Sequence, residues 1–240
     1  EGGTPAPAPL NRTKATLRLP VAQEQALLID AGAGSLEIEG TDGDQLEVEA
    51  LIITGSLRKK ATGRFIKKYL ELDTATTRKG DLKVKSKFSL LEPRQKVSAN
   101  KWGEEREYTV YKFPLWRALG TPVSKIHLRV KVPRGVALHI SDRSGPVVLQ
   151  NLQGNVYLSD RSGRVTINNL DGDLVATDRS GRFVAKNISG SLQVQDRSGR
   201  LQIQQAGTAG QHNQVKDRSG RVILQEVAGH LELDDFSGRI

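Results

Sequence analysis

The chain has 240 residues, enough to bury a core, and no cysteine, which excludes a disulfide framework and a thiolate metal site. No run of about 18 apolar residues occurs, so nothing in the sequence reads as a membrane-spanning helix. The net charge of +9 is uneven: residues 1–50 carry 3 basic and 9 acidic groups, residues 51–140 carry 21 and 7, and residues 141–240 carry 12 and 11.

The sequence starts at Glu1 and contains no methionine. We therefore expect a processed product from which a secretory signal segment has been removed. Residues 1–14 read as a flexible Pro/Ala-rich leader, with too little apolar content to pack, and residues 15–240 as one domain. From Thr16 the pattern becomes short alternating runs, at Thr16 to Leu19, Ala26 to Ile29, Ser35 to Glu39 and Gln45 to Glu49. Alternation at period two, broken by Gly or Asp, predicts half-buried strands.

Residues 55–124 break this rhythm and form an irregular basic and aromatic insertion. It holds Arg58, Lys59, Lys60, Arg64, Lys67 and Lys68, a strand predicted over Asp81 to Phe88, and the aromatics Trp102, Tyr108, Tyr111, Phe113 and Trp116. Arg64 to Leu72 fits a short helix or a strand equally. Alternation resumes at Ile126 to Val132.

A strict repeat follows over residues 142–240. The tetrapeptide Asp-Arg-Ser-Gly begins at Asp142, Asp160, Asp178, Asp196 and Asp217 and returns as Asp235-Phe236-Ser237-Gly238, in steps of 18, 18, 18, 21 and 18 residues. Between copies, a second glycine divides most coils into two nine-residue halves. In the first half apolar residues follow the glycine at plus two, plus four and plus seven, as in Val165, Ile167 and Leu170. In the second they occupy plus two and plus four, as in Leu174 and Ala176, and the Arg of the tetrapeptide falls where the third would be. A fixed short period predicts an all-β fold, a β-solenoid with about 18 residues per coil. Coils about 4.8 Å apart would stack Val147, Val165, Phe183, Leu201, Val222 and Ile240 in the core. In the coil with three extra residues Asn213 takes an inward position held elsewhere by Leu192 and Leu231, which predicts a bulge or local opening.

Ala33-Gly34-Ser35-Leu36-Glu37-Ile38-Glu39-Gly40, the strand ending in Val132-Pro133, and Ser-Gly-x-Val-x-Ile units alternating with Gly-x-Leu-x-Val units resemble the putative-adhesin family of bacterial β-strand-repeat proteins, a domain of unknown function. The resemblance covers roughly residues 15–55 and 125–240. It implies an extracytoplasmic β-solenoid, periplasmic, cell-surface or secreted, acting as an adhesin-like or scaffold module. Family members commonly carry Thr, Ser or Asp around the Ser-Gly, whereas this chain carries Arg on both sides.

Those arginines are the main candidate site. Arg143, Arg161, Arg179, Arg197 and Arg218, with Arg164, Arg182, Arg200, Arg221 and Arg239, should line one edge. Two readings are open. The repeated Asp residues, running alongside, can pair with Arg between coils in a self-neutralising ladder. Alternatively the surplus guanidinium groups hold an anionic glycan or an envelope surface. Arg58, Lys59, Lys60, Trp102 and Trp116 form a second candidate, against a reading in which the aromatics pack over the solenoid as its cap.

No catalytic, metal or cofactor site is expected. The acids are copied with every coil, whereas a catalytic site departs from a repeat. His127, His139, His212 and His230 lack ligand spacing, and a calcium β-roll would need Asp every nine residues with more glycine. No nucleic-acid motif accompanies the charge. A carbohydrate-active β-helix lyase or hydrolase is the alternative to a binding module, and self-association through solenoid ends is a further expectation.

Overall fold

A computed structural model of the protein describes residues 11–21, 25–54, 70–88, 92–101, 104–112 and 125–239. The fold is all-β, a solenoid of about six turns of about 18 residues, with no helix among the described residues. The chain opens with β1 (Asn11–Pro20), β2 (Leu27–Ala33), β3 (Leu36–Thr41) and β4 (Gln45–Thr54), followed by β5 (Leu70–Thr76) and β6 (Leu82–Phe88). An antiparallel hairpin of β7 (Glu92–Lys101) and β8 (Glu104–Lys112) precedes β9 (Lys125–Pro133) and the long β10 (Leu138–Gln153). The repeat then supplies two strands per turn: β11 (Val156–Asp160) and β12 (Gly163–Asp171), β13 (Leu174–Asp178) and β14 (Gly181–Ile188), β15 (Leu192–Asp196) and β16 (Gly199–Ala206), β17 (His212–Asp217) and β18 (Gly220–Val227), β19 (His230–Asp235) and β20 (Gly238–Arg239).

These strands build two parallel walls. The first runs β6, β2, β10, β11, β13, β15, β17, β19, and the second runs β9, β3, β10, β12, β14, β16, β18, β20. β10 belongs to both, with Leu138 to Ser144 in one wall and Gly145 to Gln153 in the other. The walls begin in antiparallel strands, β5 on β6 and β1 on β4 on β9. Residues 82–86, within the basic and aromatic section, therefore supply a rung of the first wall. Arg58, Lys59, Lys60, Trp102, Phe113 and Trp116 lie outside the described residues, as do residues 1–10 and Ile240; residues 11–14, expected as part of the flexible leader, instead open β1 and pair with β4, and of Arg64 to Leu72 the described part enters β5.

The repeat spacing translates directly into packing. Val147, Val165, Phe183, Leu201 and Val222 are in register on adjacent turns and each is fully buried. One turn, for example, buries Val165, Ile167, Leu170, Leu174 and Ala176, and complete burial of a large aliphatic side chain is worth roughly 1.5–3 kcal/mol. Most of that gain comes from the turns above and below, because a lone coil would leave both flat sides of its core open to water.

Two kinds of corner bend the coil. Glycines 145, 163, 181, 199 and 220 stack with φ between +127° and +150°, and a Cβ on any of them would overlap the carbonyl oxygen of the glycine one turn back, Gly34 for Gly145. Another corner has left-handed backbone without glycine. Asn151, Asn169, Asn187, Gln205 and Glu226 all have φ between +54° and +57°. Asparagine tolerates this region better than most side chains, and here it gains from the stacking: Asn169 Nδ2 donates to Asn151 Oδ1 at 3.0 Å, and Asn187 Nδ2 donates to Asn169 Oδ1 at 2.9 Å. We expect Asn169→Ala to lower stability by about 2–3 kcal/mol and Asn169→Gly to cost less, since glycine loses the hydrogen bonds but not the backbone preference. Urea unfolding midpoints would show this order.

The irregular turn is interrupted but closed. Pairing of β15 with β17 starts at Gln193 and Gln214, one residue later than in the preceding turn. Asn213 is buried, as its position predicts, and its side chain fills the gap in the ladder. The Leu192 amide donates to its Oδ1 at 3.0 Å, and its Nδ2 donates to the Ala228 carbonyl at 2.7 Å.

Candidate functional site

The Asp-Arg-Ser-Gly corner separates its two charged residues completely. Along β11 the side chains of Val156, Leu158 and Asp160 alternate inward, and β13 and β15 repeat this with Asp178 and Asp196. Asp142, Asp160, Asp178, Asp196 and Asp217 are 1–5% exposed and stand in register on successive rungs. The third inward place of this half-coil is thus held by Asp, one residue before the Arg that the sequence pattern sets opposite the third apolar residue of the other half. This overturns the self-neutralising ladder: the carboxylates are inside the coil and the guanidinium groups are outside it.

Each residue of the motif has a local task. Asp178 Oδ1 and Asp196 Oδ1 accept the amides of Ser180 and Ser198, both at 3.1 Å, which ties the turn to its own strand. The serine hydroxyls tie turn to turn: Ser162, Ser180, Ser198, Ser219 and Ser237 donate to the carbonyls of Arg143, Arg161, Arg179, Arg197 and Arg218 at 3.1–3.3 Å. Glycine then permits the bend.

The buried carboxyls are incompletely satisfied. Asp142 Oδ2, Asp178 Oδ2 and both oxygens of Asp160 and Asp217 lack a hydrogen-bond partner among the described residues. Burying an ionised carboxylate without compensation is costly, so the neutral form is favoured. Burial, and after it the charge of the neighbouring Asp160, pushes Asp142 up to about 8. Burial followed by adjacent Asp charges pushes Asp178 and Asp196 up to about 6. Asp160 and Asp217 are raised as well, again chiefly by burial.

Outside, the arginines form two exposed columns. Arg164, Arg182, Arg200, Arg221 and Arg239 are aligned rung by rung in the second wall, and Arg143, Arg161, Arg179, Arg197 and Arg218 occupy the turns across the Ser-Gly. Arg18, Arg129, Lys131 and Arg134 make ion pairs, but no arginine of either column does so among the described residues. A shallow depression of about 560 Å³ follows the corner, lined by Arg143, Arg161, Arg179 and Arg197 over Asp142, Asp160 and Asp178. The structure brings these predicted arginines to one edge; Arg58, Lys59, Lys60, Trp102 and Trp116 fall outside the described residues.

Other titratable groups are dispersed. The Ser35 hydroxyl lies 2.8 Å from His127 Nδ1, a nitrogen that also accepts the Ser35 amide at 3.2 Å, and among the described residues no carboxylate bonds to the ring. The pair secures the turn into β3 and lacks the third member of a hydrolytic triad. No group of three or more His, Asp or Glu side chains among the described residues could hold a metal ion.

No family model matches the chain, and no curated protein does. Among solved structures it is similar to a putative cell adhesion protein from Clostridium sporogenes, with 10% identity, 93% of this chain and 100% of that chain covered, and a TM-score of 0.38. It is also similar to a putative adhesin from Parabacteroides distasonis, with 10% identity, 93% and 97% covered, and a TM-score of 0.27.

Proposed function

We propose that the protein is a non-catalytic, extracytoplasmic adhesin-like or scaffold module, periplasmic, cell-surface or secreted, whose arginine edge holds an anionic glycan or an anionic envelope surface. The observation that carries this reading is the sorting of charge at the corner. Ten exposed guanidinium groups stand in two columns with their would-be partners turned into the core. Like charges at strand spacing repel by roughly 1 kcal/mol per neighbouring pair in water, a cost that a bound polyanion reverses. Arginine suits the task because its planar fork meets phosphate, sulfate or carboxylate with two hydrogen bonds. Sealing the repeated acids inside also removes them from general acid or base work on a polysaccharide.

A scaffold role would use the far end of the solenoid. Phe236, which replaces Arg in the last copy, is 84% exposed, and β19 and β20 have one edge without a partner among the described residues. Such an edge favours strand pairing with another chain.

The test is binding of heparin and of lipopolysaccharide to the wild type and to an Arg161→Glu/Arg179→Glu/Arg197→Glu variant, at low and high salt. We expect wild-type affinity to fall steeply with salt and the variant to bind at least about tenfold more weakly. Binding of equal strength by both proteins, or binding indifferent to salt, would refute the arginine edge.

A further inference from the structure

The outer face of the first wall carries a feature that the arginine edge does not explain. Leu28, His139, Tyr157 and Val175 occupy successive rungs of one outward column. The His139 and Tyr157 rings stack with centroids 4.5 Å apart and planes within 5° of parallel. Because rungs are themselves about 4.8 Å apart, the stacked rings stand across the column as a low ridge. The neighbouring rungs carry the aliphatic Leu28 and Val175, so no third ring covers the outer face of either aromatic. Two residues along the same strands a second outward column presents hydroxyls, from Ser141, Ser159 and Thr177. The ridge, Ser141 and Ser159 border a depression of about 400 Å³ that Asp30 and Lys83 also line. Tyr157 is 39% exposed, and Phe236 is the one other large apolar side chain so exposed among the described residues.

We propose that this depression binds an uncharged pyranose ring of a glycan. Size argues for a small ligand: about 400 Å³ falls at the lower end of small-molecule sites, and an apolar strip one residue wide is far below the roughly 800 Å² per partner that a stable protein contact needs. Chemistry argues for a sugar. A pyranose has C–H groups on its faces and hydroxyls around its rim. The polarised C–H groups suit the electron-rich face of the tyrosine, while serine and threonine can each donate to and accept from the ligand hydroxyls. A hydrocarbon would leave the hydroxyls unused, and Asp30 stands with Lys83 in the lining, so the depression itself has no surplus of cationic side chains to select a polyanion.

This site goes beyond the arginine edge: Ser141 and Ser159 border both depressions, but the His139–Tyr157 ridge belongs to this one alone, and the ligand it takes is neutral. The experiment titrates the full chain with cellohexaose and chitohexaose, two uncharged oligosaccharides, and follows amide shifts by NMR. Shifts should centre on residues 139–141 and 157–159, and the affinity should not respond to salt. Tyr157→Ala should weaken binding at least about tenfold, His139→Ala and Ser159→Ala should weaken it less, and Tyr157→Trp should retain it. Thermal unfolding of each variant checks that the solenoid is intact. The Arg161→Glu/Arg179→Glu/Arg197→Glu variant should bind these sugars as the wild type does, so the two sites fail or succeed separately. Absence of binding by either sugar, an unchanged affinity in both Tyr157→Ala and Ser159→Ala, or loss of binding in the arginine variant would overturn the proposal.

Discussion

Raising the pH from about 4 to about 9 should destabilise this protein, the reverse of what salt-bridged carboxylates produce. The buried column of Asp142, Asp160, Asp178, Asp196 and Asp217 is the cause. In the unfolded chain each carboxyl ionises near 3.9. In the folded chain Asp178 and Asp196 hold their protons to about 6 and Asp142 to about 8. A folded value above the unfolded one means that the stabilising contribution is complete below about pH 4 and is lost as pH rises through the folded values. One unit corresponds to about 1.4 kcal/mol, so an aspartate shifted by two units accounts for on the order of 3 kcal/mol before the coil relaxes. Urea unfolding midpoints across this range should therefore decline, most steeply between about pH 4 and 6, where the unfolded carboxyls have ionised and Asp178, Asp196 and Asp142 still hold their protons, and more gently from there to about pH 8. Asp178→Asn/Asp196→Asn keeps the oxygen that accepts the Ser180 and Ser198 amides and removes the titration, so its profile should be flatter and its stability at pH 8 higher than that of the wild type. A wild-type midpoint that climbs with pH would show that the column is ionised and compensated.

Gly181→Ala should be among the most damaging single substitutions available. Gly181 has φ +139°, and its new Cβ would overlap the Gly163 carbonyl oxygen, which is fixed by the turn below. Neither backbone can yield without breaking register, so we expect a loss of about 4 kcal/mol or more, in the range reserved for structural collisions. Two companions separate the causes. Gly210 also has positive φ, at +86°, but nothing lies within 4 Å of an added carbon, so Gly210→Ala should show strain alone, about 1–2 kcal/mol. Ser180→Ala removes the hydroxyl that donates to the Arg161 carbonyl at 3.2 Å and should cost about 1 kcal/mol. Chemical denaturation of the three variants would establish the order, and equal losses at Gly181 and Gly210 would contradict it.

The solenoid was legible because its determinants are local and repeated. Glycine spacing gave the period, and alternation gave the inward residues from Val147 to Val222. The placement of the aspartates was legible too, by the same rule: period two, carried on from Val156 and Leu158, reaches Asp160. A charged side chain at a turn ordinarily faces water, and that expectation concealed it. The asparagine corner left a weaker trace, since Asn151, Asn169 and Asn187 share one place in the repeat while Gln205 and Glu226 hold it later with the same backbone. The stacking of His139 on Tyr157 depends on which rungs adjoin, and the sequence shows each ring only once. The pairings of β3 with β9 and of β2 and β3 with β10, over 90 residues apart, follow from no repeat at all.

Those pairings bear on the order in which the chain can assemble. β3 lies between β9 and β10, although it precedes both by more than 80 residues. As the polypeptide emerges, the β2 and β3 rung has no parallel neighbour in the second wall until residue 125 and beyond arrive, whereas each later turn docks on one that is already made. Closing such long loops is slow, and adding adjacent coils is quick. Refolding should therefore show a rate-limiting nucleation that joins residues 27–41 to 125–153, followed by rapid zipping of the regular turns. Substitutions at Leu36 or Ile38 should retard folding, while those at Leu201 or Ile203 should mainly hasten unfolding.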